Sequence, residues 1–345
     1  MYSESDIDGA VTAGVLSPQA AAAFRQHVAA TQAAPAVDEE HFRLLTGFND
    51  IFVSIAVVLL LVALGQIGNA IARPLAGVLV AGAAWLLAEY FTARRRMALP
   101  SILLLLAFVG GVASLPFTVA MLADHPLLTT ANSLVAAGAG LLGVVAAYLH
   151  WRRFMVPITV AAGAVAAVGV AIGLAHAAWP TIDQFTWPLL LVGGLIVFAV
   201  AMRWDMSDPQ RQTRRADVAF WLHLAAAPMI AHPIFQTLGV FGNEIGIGTA
   251  LVVLALYLLF AFIALAVDRR ALLVSSLIYV LYAMYALFRS AGAIELSAAF
   301  TAFVIGSALL SLSAFWHPMR KLVVGTLGAL ATRLPPVQMT AATAA

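Results

Sequence analysis

The chain has 345 residues, of which 63% are hydrophobic and only 10% charged. A soluble domain carries about 25% charged residues, so this composition suits a protein solvated by lipid. A net charge of +2 gives no nucleic-acid footprint. With no cysteine, disulfides, thiolate metal sites, iron–sulfur clusters and a cysteine nucleophile are all excluded.

The first 45 residues are polar and acidic, with no cleavable signal sequence ahead of the first apolar run near Ile51. Ile7, Val11 and Val15 share one helix face, and Gly14 can end that helix. Ser17-Pro18 reads as an N-cap followed by proline at the first position of a second helix. Residues 1–45 are therefore expected to form a small cytoplasmic helical hairpin and linker. It serves either as a partner-binding module or as a lid on the bilayer or on the protein's own loops.

Ten segments are long and apolar enough to span a membrane, which takes roughly 20 residues each. They run over 50–70, 74–92, 99–122, 128–149, 156–178, 186–203, 216–239, 246–267, 271–289 and 293–315. Continuous apolar runs, without the alternation of a membrane barrel, predict an all-α polytopic bundle. The transmembrane domain is expected over 46–320. An interfacial helix and a disordered tail are expected over 321–345, where the apolar stretch is too short to span.

Cations follow every second span: Arg94 to Arg96, then Arg152 and Arg153, then Arg203, Arg211, Arg214 and Arg215, then Arg269 and Arg270, then Arg320 and Lys321. The alternate loops hold only Arg73 and Arg289. The positive-inside rule places the rich side, and both termini, in the cytoplasm. Alanine-rich composition with one lysine against seventeen arginines suggests a bacterial source, hence an inner membrane.

Pro116 and Pro233 are 117 residues apart, as are Arg152-Arg153 and Arg269-Arg270, and Arg203 and Arg320. This spacing suggests a parallel duplication of a four-helix unit, with repeats over 94–204 and 211–321. Hairpins of similar length would also give such spacing by chance.

Few polar groups lie inside the spans, where charge is costly. The seventh span carries His223, Pro228, His232 and Pro233. The prolines predict a kink, and the imidazoles either line a polar cavity or bond to neighbouring helices. The ninth span carries Tyr279, Tyr282, Tyr285 and Arg289 in steps of three and four. Glu295 lies across a short turn from Arg289. This stripe reads as a polar groove with an ion-paired mouth, or as interhelical glue with interfacial tyrosines. Glu89 sits about one turn before Arg94 near the cytoplasmic face and is expected to snorkel toward Arg94 and the arginines beside it, as a solvated pair. Neither a phosphate loop, nor GxSxG, nor a paired-aspartate pattern occurs, so no catalytic residue, cofactor or metal is expected and the chain is not read as an enzyme.

The stretches GVLSPQAAAAFRQHVAA at 14–30, GFNDIFVSIAVVLLL at 47–61, DVAFWLHLAAAPMIAHPIF at 217–235 and DRRALLVSSLIYVLYAMY at 268–285 carry a resemblance. They are similar to uncharacterised bacterial multi-pass inner-membrane families with a soluble helical segment ahead of membrane hairpins. The resemblance implies topology and an inner-membrane address, and carries over no catalytic residue. Two functions fit: a small-solute transporter or permease built on the seventh and ninth spans, or a non-transporting sensor, scaffold or assembly factor acting through the N-terminal hairpin. The expected partners are the lipid bilayer and, on the second reading, a protein at that hairpin.

Overall fold

The computed structural model describes residues 4–24, 48–122, 129–208, 211, 213–240, 246–290, 296–328, 331 and 334. The chain divides into two units. The first contains residues 4–24, where a helix spans Glu4–Thr12 and Gly14 follows at φ 71°, the left-handed geometry that glycine adopts without strain. Ser17 then caps a second helical stretch by accepting from the Ala20 amide at 3.1 Å. This is the capped start expected at Ser17-Pro18.

The second unit, Leu44–Val337, is all-helical among the described residues. Ten helices are long and apolar enough to cross a membrane. They are α1 Phe48–Ile71, α2 Arg73–Ala88 (whose span continues through a π-helical turn to Arg94), α3 Ala98–Ala120, α4 Thr129–Phe154, α5 Ile158–Ala178, α6 Thr186–Met206, α7 Arg214–Thr237, α8 Ile247–Val267, α9 Ala271–Ser290 and α10 Ser297–Ala314. A short helix α11, Trp316–Thr326, follows. It begins five residues before the expected interfacial helix and takes in Arg320 and Lys321. The protein is thus a multi-pass, integral membrane protein. Its outer surface confirms the solvent: Phe52, Leu59, Leu86, Phe303 and Leu310 are each more than 60% exposed. Water would penalise such a surface, while lipid tails solvate it.

Neighbouring spans pack as antiparallel hairpins, with α2 on α3, α4 on α5, α6 on α7 and α8 on α9. Small residues set the close approaches. A Cβ on Gly77 would stand 2.6 Å from Ser114 Oγ and 2.7 Å from the Gly111 carbonyl oxygen of α3. A Cβ on Gly194 would stand 2.9 Å from the Met229 carbonyl carbon of α7. Backbones meet there because no side chain intervenes.

The exception among the spans is α7. In its membrane window 67% of residues are buried, against 44% for the next, α8. It packs on α5, α6 and α9 together. Pro228 and Pro233 lie inside this helix without ending it. Each lacks an amide hydrogen, so the carbonyls of Leu224 and Met229 lose their regular helical donors. Gly194 of α6 lies directly against Met229 at that point.

Candidate functional site

The most unusual chemistry is a set of charged groups sealed where the arginine-rich ends of α6, α7, α8 and α11 converge. Asp205, in the last turn of α6, is 2% exposed. Arg269, in the α8–α9 link, donates to its Oδ1 at 2.5 Å through Nη2 and to its Oδ2 at 3.2 Å through Nε. His223 of α7 places Nε2 2.9 Å from the same Oδ2. Arg269 also donates to the Ala216 carbonyl at the start of α7, at 3.3 Å. One carboxylate therefore holds two helices and a loop together. Facing a carboxylate, His223 Nε2 is the donor, which leaves Nδ1 as an acceptor. Nδ1 is buried and has no hydrogen-bond partner, and the Phe198 ring packs against the imidazole with centroids 5.0 Å apart.

A second clasp adjoins the first through sequence. Asp268 caps α8 in the left-handed region at φ 60°, which aspartate tolerates better than most side chains. Its Oδ2 accepts from Arg211 Nη1 at 2.9 Å, and its Oδ1 accepts from Trp316 Nε1 at 2.8 Å. Arg320 of α11 lies 3.5 Å from Oδ1 and is 1% exposed. Arg270 stacks over Trp316 at 4.7 Å. These contacts tie α11 to the end of α8. Asp208 accepts from the Thr213 amide and hydroxyl at 2.8 and 2.7 Å, and Thr213 in turn caps α7.

The N-terminal half of the bundle has a counterpart. Beyond α2 the chain runs through a π-helical turn, Glu89–Arg94. Glu89 pairs there with Arg153 at the end of α4, at 2.9 and 2.5 Å, and not with Arg94 as expected. The pair is 34% and 52% exposed. Glu89–Arg153 and Asp205–Arg269 have the same 64-residue separation. Close by, His150 is fully buried, with Nδ1 3.2 Å from Thr159 Oγ1 and with Trp85, Phe108 and Phe154 around its ring. Both clasps join the C-terminal ends of alternate spans, as the distribution of arginines requires.

The residues singled out from the sequence do not form one groove. His223 belongs to the Asp205 cluster at the arginine-rich end. His232, nine residues on, places Nδ1 2.7 Å from the Tyr279 hydroxyl, with Trp187 of α6 against its ring at 5.0 Å. Tyr279 stacks on Phe235 at 4.3 Å and is 6% exposed. Tyr282 is exposed, Tyr285 half-buried and Arg289 exposed, because the face they share with Tyr279 is only partly covered by a neighbouring helix. Glu295, and with it the Arg289–Glu295 pair, lies outside the described residues. Between the two histidines, Ala226, Ala227 and Ala231 of α7 are fully buried. The sequence reading used Arg211, Arg269 and Arg320 as topology markers and passed over Asp205. Asp205 was findable: it is an acid in the last turn of a span, 64 residues before an arginine, as Glu89 is.

Among the described residues, no group of three or more His, Asp or Glu side chains is placed to hold a metal ion. No family model matches the chain, and neither does any curated protein or solved structure.

Proposed function

We propose that this is a small-solute transporter or permease of a bacterial inner membrane, with both termini in the cytoplasm. The observation that supports it best is the position of α7. The most buried span carries two ionisable groups, His223 and His232, with Pro228 between them and Pro233 directly after, so that its hydrogen-bond ladder is interrupted twice. Buried ionisable groups inside spans mark substrate and ion pathways, and a proline-interrupted helix is one that can bend. In this reading α7 is the element about which access alternates. The arginine-rich ends supply the cytoplasmic orientation, and the likeness to bacterial multi-pass families supplies the address. Deletion and overproduction of the chain in its host, followed by metabolite profiling inside and outside the cell, tests it. Reciprocal shifts in one solute class support the proposal, and unchanged profiles count against it.

One observation favours a second reading. The middle of α7 is sealed by apolar packing, as a non-transporting sensor, scaffold or assembly factor requires. Such a protein would act through its N-terminal hairpin, and deleting residues 1–45 would abolish its effect while leaving the bundle intact.

We also infer that the bundle arose by duplication of a four-helix unit. Three further pairs keep the spacing of Pro116 and Pro233 to within one residue: Gly77 and Gly194, Glu89 and Asp205, and Thr159 and Ser276. The corresponding helices also choose corresponding neighbours: α2 on α3 and α6 on α7, α4 on α5 and α8 on α9, α1 on α3 and α5 on α7. These pairs extend the recurrence one span earlier than the 94–204 and 211–321 limits.

A further inference from the structure

We propose that the cleft between α5 and α6 binds one acyl chain of a membrane phospholipid, with the headgroup at the Trp179–Phe185 end. The two helices are joined by a six-residue 3-10 turn, Pro180–Phe185, a connection short enough for a closely packed hairpin. They nonetheless touch only lightly, because each packs on α7 instead. Ala161 of α5, Val197 of α6 and Leu222 and Ile230 of α7 share one buried cluster, which closes the back of the cleft. The front is open to the bilayer.

What remains is a slot of about 390 Å³, lined by Ala167 and Ala171 on one wall and Val192, Ile196 and Val200 on the other. Every lining side chain is apolar. At the floor α5 and α6 do meet, at Gly193, where a Cβ would stand 2.5 Å from Val168 Cγ1. Toward the arginine-poor end the slot shares Leu189 and Val192 with a second hollow of about 430 Å³, lined also by Trp179, Gln184 and Phe185. From Val192 to Val200 a helix rises about 12 Å, close to the depth of one leaflet in a hydrocarbon core of about 30 Å. An apolar slot of leaflet depth thus opens on an amide and an indole at interface level, where an amphipathic indole is at home.

The apolar lining and open front of this slot suit a lipid chain. Its rims, Leu174 and Leu195, are themselves exposed on the bilayer side, and water at this depth would find no polar partner. Lipid tails have no hydrophobic preference for a protein surface over one another. Selection comes from shape, since Ala167 and Ala171 leave room for a methylene chain to come into close contact with both walls and the floor. Neighbouring exposed faces without a slot offer contact on one side only.

The test is native mass spectrometry of the full chain, purified in mild detergent and supplied with phosphatidylethanolamine. We expect one phospholipid per chain to survive delipidation that strips the rest. Ala171→Phe should lower its occupancy at least tenfold, while Leu195→Phe on the adjacent rim leaves it unchanged. Val200→Phe, which fills the other end of the slot, is the second variant should the first unfold. Three results would overturn the proposal: no retained phospholipid, retention undiminished by both slot-filling variants, or loss equal in Leu195→Phe, which means annular lipid only. A dimer that dissociates on Ala171→Phe would assign the slot to a second copy and overturn it equally.

Discussion

Removing the Asp205 carboxylate should be among the most damaging single changes in this protein. Asp205→Ala deletes the acceptor of two Arg269 bonds and one His223 bond at a site 2% exposed. Arg269, itself 4% exposed, is left as a buried guanidinium without its carboxylate. Breaking a buried ion pair by removing one partner costs about 3–5 kcal/mol, most of it the uncompensated charge. Replacing both partners by apolar side chains of similar volume, Asp205→Leu with Arg269→Met, should recover part of that loss, since the desolvation cost of both charges then disappears while His223 Nε2 stays without its acceptor. The Glu89–Arg153 pair is the internal control. It has the same 64-residue separation but is 34% and 52% exposed, so Glu89→Gln should cost about 0–1 kcal/mol. Reversible unfolding in mixed micelles of Asp205→Leu, Arg269→Met and the double variant gives the coupling energy directly. A loss below about 1 kcal/mol for Asp205→Ala, or strict additivity in the double variant, would refute the reasoning that this cluster is a sealed clasp.

Further outcomes follow from other residues. Gly194→Leu should separate α6 from α7 and cost about 1–3 kcal/mol as an overpacked contact against the Met229 backbone; Gly110→Ala, where a Cβ meets nothing within 4 Å, is the neutral control in the same thermal melts. Trp316→Ala removes the indole between Asp268 and Arg270, and faster proteolysis within α11 should report its release from α8. Reporter fusions after Ala98, Arg153, Asp208 and Arg270 should read cytoplasm, and fusions near Asp124, Asp183 and Asn243 periplasm; one well-behaved fusion on the wrong side would change the number of spans. Glu295→Gln should lower stability and Arg289→Gln added to it should restore much of the loss, if the two side chains pair; additive losses would discard the pair.

The ten spans were legible because lipid solvation leaves a signature every 20 residues that no tertiary contact erases. The arginine alternation was legible for a related reason: it reflects the polarity of loops, and the ion pairs joining the ends of alternate spans now show those ends together. The clasps themselves were harder to see. Asp205 and Arg269 are 64 residues apart, and nothing local to either says which helix ends meet. Glu89 was assigned to the arginines at 94–96 because they are its near neighbours in sequence. The π turn changes the register just there, and the pairing partner comes from α4. The tyrosine stripe divides between neighbours for a different reason. A regular spacing on one helix says which residues share a face, but α9 shows that face partly to α7 and partly to lipid, so Tyr279 is sealed while Tyr282 is exposed.

Alternating access about α7 is the claim on which the transporter reading stands. The chain has no cysteine, so single cysteines report cleanly on a native background. Ala227→Cys and Ala231→Cys sit at fully buried positions between His223 and His232. In oriented membrane vesicles, a membrane-impermeant maleimide should label both slowly, with protection changing sides when the pH or ion gradient is reversed. Cysteines at exposed loop positions set the full rate. Positions 227 and 231 that stay unlabelled from both faces under every gradient would contradict the account and leave a packed, non-transporting bundle.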